Sequence, residues 1–73
     1  MPVHGDRYFT RRYLIAVYIE EHWLSYGYAP TVTRIAEAFG LSTLTIEYHI
    51  SRLLGEGRLT LDQAPTLQWL RAA

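Results

Sequence analysis

Apolar residues recur along this chain first at the spacing of a helix and later at that of a strand. Through 10–25, a rotation of about 100° per residue puts Ile15, Tyr18, Ile19, His22 and Trp23 on one face, the stripe that a helix buries. Gly27 ends that segment, and Ala29-Pro30-Thr31 connects it to the next, because a residue before proline is pushed out of the helical region. Thr31 or Thr33 then caps a second helix over 32–39. Gly40 suits a left-handed stop and Ser42 an N-cap, so a third helix is predicted over 43–55 with Ile46, His49, Ile50 and Leu53 inward. Past Gly55 and Gly57 the period changes. Residues Arg58 to Leu61 and Thr66 to Trp69 alternate around Asp62-Gln63-Ala64-Pro65, the pattern of a β-hairpin over about 58–70.

The predicted fold is therefore mainly α with a small β-hairpin, in the order helix, helix, helix, hairpin. Residues 1–9 have no period and read as an N-terminal tail, and 10–73 as one domain. No internal repeat or low-complexity segment divides the chain.

Two short helices joined by a glycine-containing turn make a helix-turn-helix, whose second helix can lie in a major groove. Here Ile35-Ala36 packs the second helix on the third, Gly40 follows four residues later, and Ile46 and Ile50 supply the opposing knobs. From Ile35 through Leu59 the chain resembles the winged helix-turn-helix family, matching the pattern Ile-Ala-x-x-x-Gly-Leu-Ser-x-x-Thr-Ile-x-x-His-Ile-x-x-Leu-x-x-x-Gly-x-Leu throughout. Phe9-Thr10 and Gly27-Tyr28-Ala29-Pro30-Thr31 make it similar to LexA-type DNA-binding domains in particular, over roughly residues 9 to 60. The resemblance implies a three-helix winged fold that binds operator DNA as a dimer, through the third helix and the hairpin wing. Two departures are visible: the turn before the third helix looks one residue shorter than in LexA, and no peptidase domain follows, so self-cleavage is not implied.

Charge and residue chemistry sharpen this expectation. Seven basic residues, all arginine, balance seven acidic ones, which denies the chain a strong overall positive field. Placement therefore matters more than sum. Leu44, Glu47, Tyr48, Ser51 and Arg52 lie opposite the buried stripe of the third helix, with Thr43 and Thr45 at its start. Hydroxyls and arginine can bond phosphates or base edges, and Leu44 or Tyr48 can meet a thymine methyl; a solvated or partner-facing surface is the bland alternative. Thr31, Thr33, Arg34 and Ser42 sit at helix starts, where backbone amides attract phosphate, although capping is the leading reading for Thr31 and Ser42 and a salt bridge to a nearby acid the even alternative for Arg34. Arg7, Arg11 and Arg12 form the densest basic patch, expected either to follow the DNA backbone or to stay solvated. The wing tip carries Asp62, so any wing contact is expected to be weak, with Gln63 and Thr66 as phosphate donors, Arg58 and Arg71 flanking, and Trp69 and Leu67 closing the core.

On the outer face of the first helix Tyr13, Val17 and Leu24 line up beside Glu20 and Glu21. Three apolar side chains in a row suggest a homodimer or partner surface. His22 and His49 fall on or beside buried stripes and read as core histidines bonded to backbone rather than metal ligands, and His4 lies in the tail. Neither metal nor cofactor is expected. With no Cys, no Gly-x-Ser-x-Gly elbow, no phosphate-binding glycine loop and no zinc-type His-Glu pair, catalysis is not expected. The run Tyr13 to Ile19 stops at Glu20 and is too short for a membrane helix, so a cytoplasmic location is expected.

The function expected is a transcriptional regulator that binds duplex DNA sequence-specifically as a homodimer. The alternative is a winged-helix module that binds a protein, such as a polymerase subunit or a nuclease, instead of DNA.

Overall fold

The computed structural model describes residues 5–60 and 63–65, with side chains from Thr10 onward. Its elements are α1 (Gly5–Tyr26), α2 (Val32–Phe39) and α3 (Thr43–Gly55). The second and third helices take the predicted bounds. The first begins five residues before its predicted start, within the segment expected as a tail. No proline follows Pro2 until Pro30, so nothing interrupts the hydrogen-bond ladder, and a helix already nucleated by its core contacts lengthens at little cost per residue.

Each later junction is set by its own residues. At the end of α1, Gly27 turns left-handed with φ 79° and its amide donates to the Trp23 carbonyl at 2.7 Å. Thr31 is extended and its hydroxyl accepts from the Arg34 amide at 3.0 Å, capping α2. Gly40, at φ 67° and ψ 35°, closes α2, and the Leu41 amide returns to the Ala36 carbonyl at 3.0 Å. This is the left-handed helix stop in which a glycine avoids a Cβ clash. One residue further on, Ser42 caps α3 by accepting from the Thr45 amide at 3.1 Å.

Helix α3 packs against both α1 and α2. Ile15 and Ile19 from α1, Ile35 and Ala36 from α2, and Ile46, Ile50 and Leu53 from α3 form the core with Leu59. Small Ala36 lets α2 and α3 approach, while Tyr18 meets Phe39 edge-to-face at 5.7 Å. Gly57 reverses the chain at φ 76°, and the Arg58 amide bonds the Leu53 carbonyl at 2.9 Å, which brings Leu59 back into the core. Of the predicted α1 stripe, Ile15 and Ile19 are buried and Tyr18, His22 and Trp23 half-buried.

The alternating pattern predicts a hairpin over about 58–70. Residues 61–62 and 66–73, with Asp62, Thr66, Leu67, Trp69 and Arg71, lie outside the described residues, and among the described ones none is a strand. After Leu59 there is a turn, in which the Gln63 and Ala64 amides both donate to the Thr60 carbonyl at 3.1 and 3.0 Å.

Candidate nucleic-acid interface

The candidate surface includes the caps that start α2 and α3. Thr31, Thr33, Arg34, Ser42 and Thr43 are all exposed there. The hydroxyls of Thr31 and Ser42 are engaged as caps, which confirms their local role, and each helix start carries the electropositive end of its dipole. Ser42 also pairs its Oγ with the Thr45 hydroxyl at 2.9 Å, so Thr45 is half-buried and oriented by its neighbour.

Along α3, the i, i+4, i+8 series Leu44, Tyr48 and Arg52 forms the outward ridge, with Glu47 and Ser51 beside it. Leu44 is 75% exposed and Tyr48 54%. Arg52 is exposed, and Glu47 and Ser51 are half-buried. Leu44, Thr45, Tyr48 and His49 together line a shallow depression of ≈ 430 Å³ on this face. The helix thus carries Thr43, Leu44, Tyr48 and Arg52 outward and Thr45, Glu47 and Ser51 at its flanks, while Ile46, His49, Ile50 and Leu53 hold it from behind.

Arg12 departs from expectation. Sequence grouping places it with Arg7 and Arg11 in a basic patch that either follows the DNA backbone or stays solvated. Instead it is 9% exposed, its Nε donates to His49 Nδ1 at 3.2 Å, and its Nη1 pairs with Glu56 Oε2 at 3.1 Å. Its guanidinium also stands 5.7 Å from the centroid of the Tyr48 ring. The other Glu56 oxygen faces Arg58 Nε at 3.6 Å. The signal was available: Arg12 precedes Ile15 by three residues and Ile19 by seven, which puts it on the buried stripe. Arg11, one residue away, is exposed.

His49 is likewise corrected in its partner. It is buried, but the bond to its Nδ1 comes from the Arg12 side chain and not from backbone. Because Arg12 can only donate, Nδ1 must be the unprotonated nitrogen. Burial, and after it the positive charges of Arg12 and Arg11, push the His49 pKa below its ordinary value of 6.5. His22 does bond backbone: its Nδ1 donates to the Tyr28 carbonyl at 2.8 Å.

On the outer side of α1, Tyr13 and Leu24 are exposed and Val17 is half-buried. Tyr13 and Val17 form one wall of a groove of ≈ 330 Å³, with Arg58, Leu59 and Gln63 opposite. Gln63 is turned inward on its own loop, accepting from the Thr60 hydroxyl at 3.2 Å. Among the described residues no helix is long and apolar enough to cross a membrane, and no three His, Cys, Asp or Glu side chains converge as a metal site.

A family model described as the LexA DNA binding domain matches residues 9–67. No curated protein and no solved structure matches the chain significantly.

Proposed function

Since the chain belongs to the LexA DNA-binding domain family, we propose that it is a transcriptional regulator that reads duplex DNA with α3 in the major groove. The observation that carries this reading is the outward ridge of Leu44, Tyr48 and Arg52 on a helix whose opposite face is sealed into the core. Thr31, Thr33, Arg34, Ser42 and Thr43 fix the register on the phosphates from the helix starts, and Leu44, Thr45, Glu47, Tyr48, Ser51 and Arg52 select the bases. A homodimer, with α1 residues Tyr13, Val17 and Leu24 at or near its interface, presents two such helices about 34 Å apart along the duplex. Occupancy of the operator in the cytoplasm then represses or recruits transcription, by geometry and without catalysis.

One observation favours a second reading, in which the same fold binds a protein such as a polymerase subunit or nuclease. The net charge is zero, and Tyr13, Leu24, Tyr26 and Tyr28 are all exposed large side chains. Binding to a random pool of duplex DNA at two salt concentrations, followed by sequencing of the retained fraction, separates the two. Salt-dependent retention with an enriched inverted repeat supports the dimeric reader. Absence of retention even at low salt overturns it in favour of the protein-binding module.

A further inference from the structure

Arg12 is the one charged side chain among the described residues that is buried, and the described groups that it bonds or faces belong to α3 or its C-terminal cap. It reaches His49 at the middle of the helix, the Tyr48 ring on the outer face and Glu56 at the C-cap. We propose that Arg12 is a positioning residue for base reading: from α1 it fixes the angle and axial setting at which α3 presents Leu44, Tyr48 and Arg52. The proposal rests on the DNA-binding reading above.

The apolar core alone leaves this setting loosely specified. Ile46, Ile50 and Leu53 meet branched aliphatic side chains from α1 and α2, and such contacts are non-directional. A guanidinium is a rigid planar fork whose Nε and Nη donors point in fixed directions. Here one prong ends on an imidazole nitrogen and the other on a carboxylate oxygen, two residues seven positions apart along the chain. Both bonds hold only at one rotation and one axial offset of α3 against α1. The same guanidinium lies near the ring of Tyr48, so the side chain at the centre of the outward ridge is set by the same residue. His49 couples this device to protons. Among the described residues, the charged and titratable groups facing it include Arg12 and Arg11 from α1, Tyr48 beside it on α3, and Glu56 across the shared guanidinium. A proton on Nδ1 removes the acceptor for Arg12 Nε and sets two positive charges against each other.

A role in positioning predicts a pattern that neither a phosphate contact nor plain stabilisation produces. Full-length Arg12→Gln and Arg12→Lys variants, kept where circular dichroism shows them fully folded, are compared with wild type on random duplex DNA and on the sequences enriched from the pool. The expected result is a fall of about tenfold in the ratio of enriched to random affinity, the size of one lost base-pair discrimination, with an unchanged salt slope. Lysine does not rescue, since a point charge cannot donate along both directions. An unchanged ratio in folded protein, rescue by lysine, or a salt slope lowered by about one, as for a direct phosphate contact, overturns the proposal. Nuclear magnetic resonance of the free protein decides it without DNA: Arg12→Gln should move the Tyr48 ring and Leu44 to Arg52 amide signals more than those of α2. Equal or absent movement overturns it. If wild type binds no DNA while these signals move as expected, the positioning stands and the DNA reading alone fails.

Discussion

Arg12 on α1 and His49 on α3, 37 positions apart in sequence, share a hydrogen bond of 3.2 Å between Nε and Nδ1 in the protein interior. That bond requires His49 to be neutral, and its burial beside two arginines favours the same state. The pair joins α1 and α3 through a polar contact that neither helix could satisfy alone.

Stability should therefore decline in acid through His49. Its folded pKa lies below the unfolded value of 6.5, so the unfolded chain binds the proton more readily. The contribution of the neutral ring is present above 6.5 and is lost as the pH falls from there through the folded pKa. Urea midpoints between neutral pH and roughly pH 5, compared for wild type and His49→Gln, isolate this term because His4 and His22 remain in both. Wild type should lose more stability than the variant over that window. Parallel decline of the two would show that His49 does not titrate as argued.

Gly40 and Gly55 should respond oppositely to alanine. Neither position has an atom within 4 Å of an added Cβ, so space is not the issue. Gly40 holds φ 67°, where an L side chain costs about 1–2 kcal/mol. Gly55 closes α3 without a positive φ, and alanine there should stabilise by about 0.5–1 kcal/mol through the unfolded chain. Thermal denaturation of both variants checks the sign of each change, and destabilisation by both would contradict the conformational argument.

Ser42 should separate capping from phosphate contact. Ser42→Ala removes the acceptor for the Thr45 amide and the partner of its hydroxyl, at a cost of about 1 kcal/mol. Ser42→Asp restores the cap but places a carboxylate where a phosphate is proposed to lie. Denaturant midpoints should rank aspartate near serine and above alanine, whereas DNA affinity should be weakest for aspartate. Affinity that merely follows stability across the three would leave Ser42 as a cap alone.

Arg34 and Arg52 are exposed, unlike Arg12. Replacing either by alanine should reduce the slope of log affinity against log salt by about 0.9 if it neutralises one phosphate. Filter binding to random duplex across a salt series measures that slope. A slope unchanged in both variants would remove them from the phosphate-contacting surface.

Glu47 offers the opposite sign. It is half-buried beside the outward ridge, and Glu47→Ala should tighten binding to random DNA by relieving repulsion from the phosphates. Unchanged DNA affinity together with loss of a protein partner would instead favour the protein-binding reading.

Much of this architecture is written locally. Thr31, Gly40 and Ser42 act within four residues of themselves, so the bounds of α2 and α3 follow from backbone conformation and short-range hydrogen bonds. The inward set Ile46, His49, Ile50 and Leu53 follows from helical period, because a face is a property of one helix. For the same reason the outward ridge of α3 is legible in the sequence itself. The start of α1 was not, since helix extension past the core has little energetic signature in side-chain pattern.

What the tertiary structure alone decided is the fate of side chains whose partners are distant. Helical period separates Arg12 from Arg11, but that Arg12 meets Glu56 and His49 is set by how α1 packs on α3. His49 was recognisable as buried, but its partner lies on another helix. Tyr13 and Val17 read as an open row, and become one wall of a groove because the chain beyond Gly57 returns beside them. Periodicity specifies which way a side chain points relative to its own helix axis. Which charge it meets there depends on how two helices cross, and that is settled only when the whole core packs.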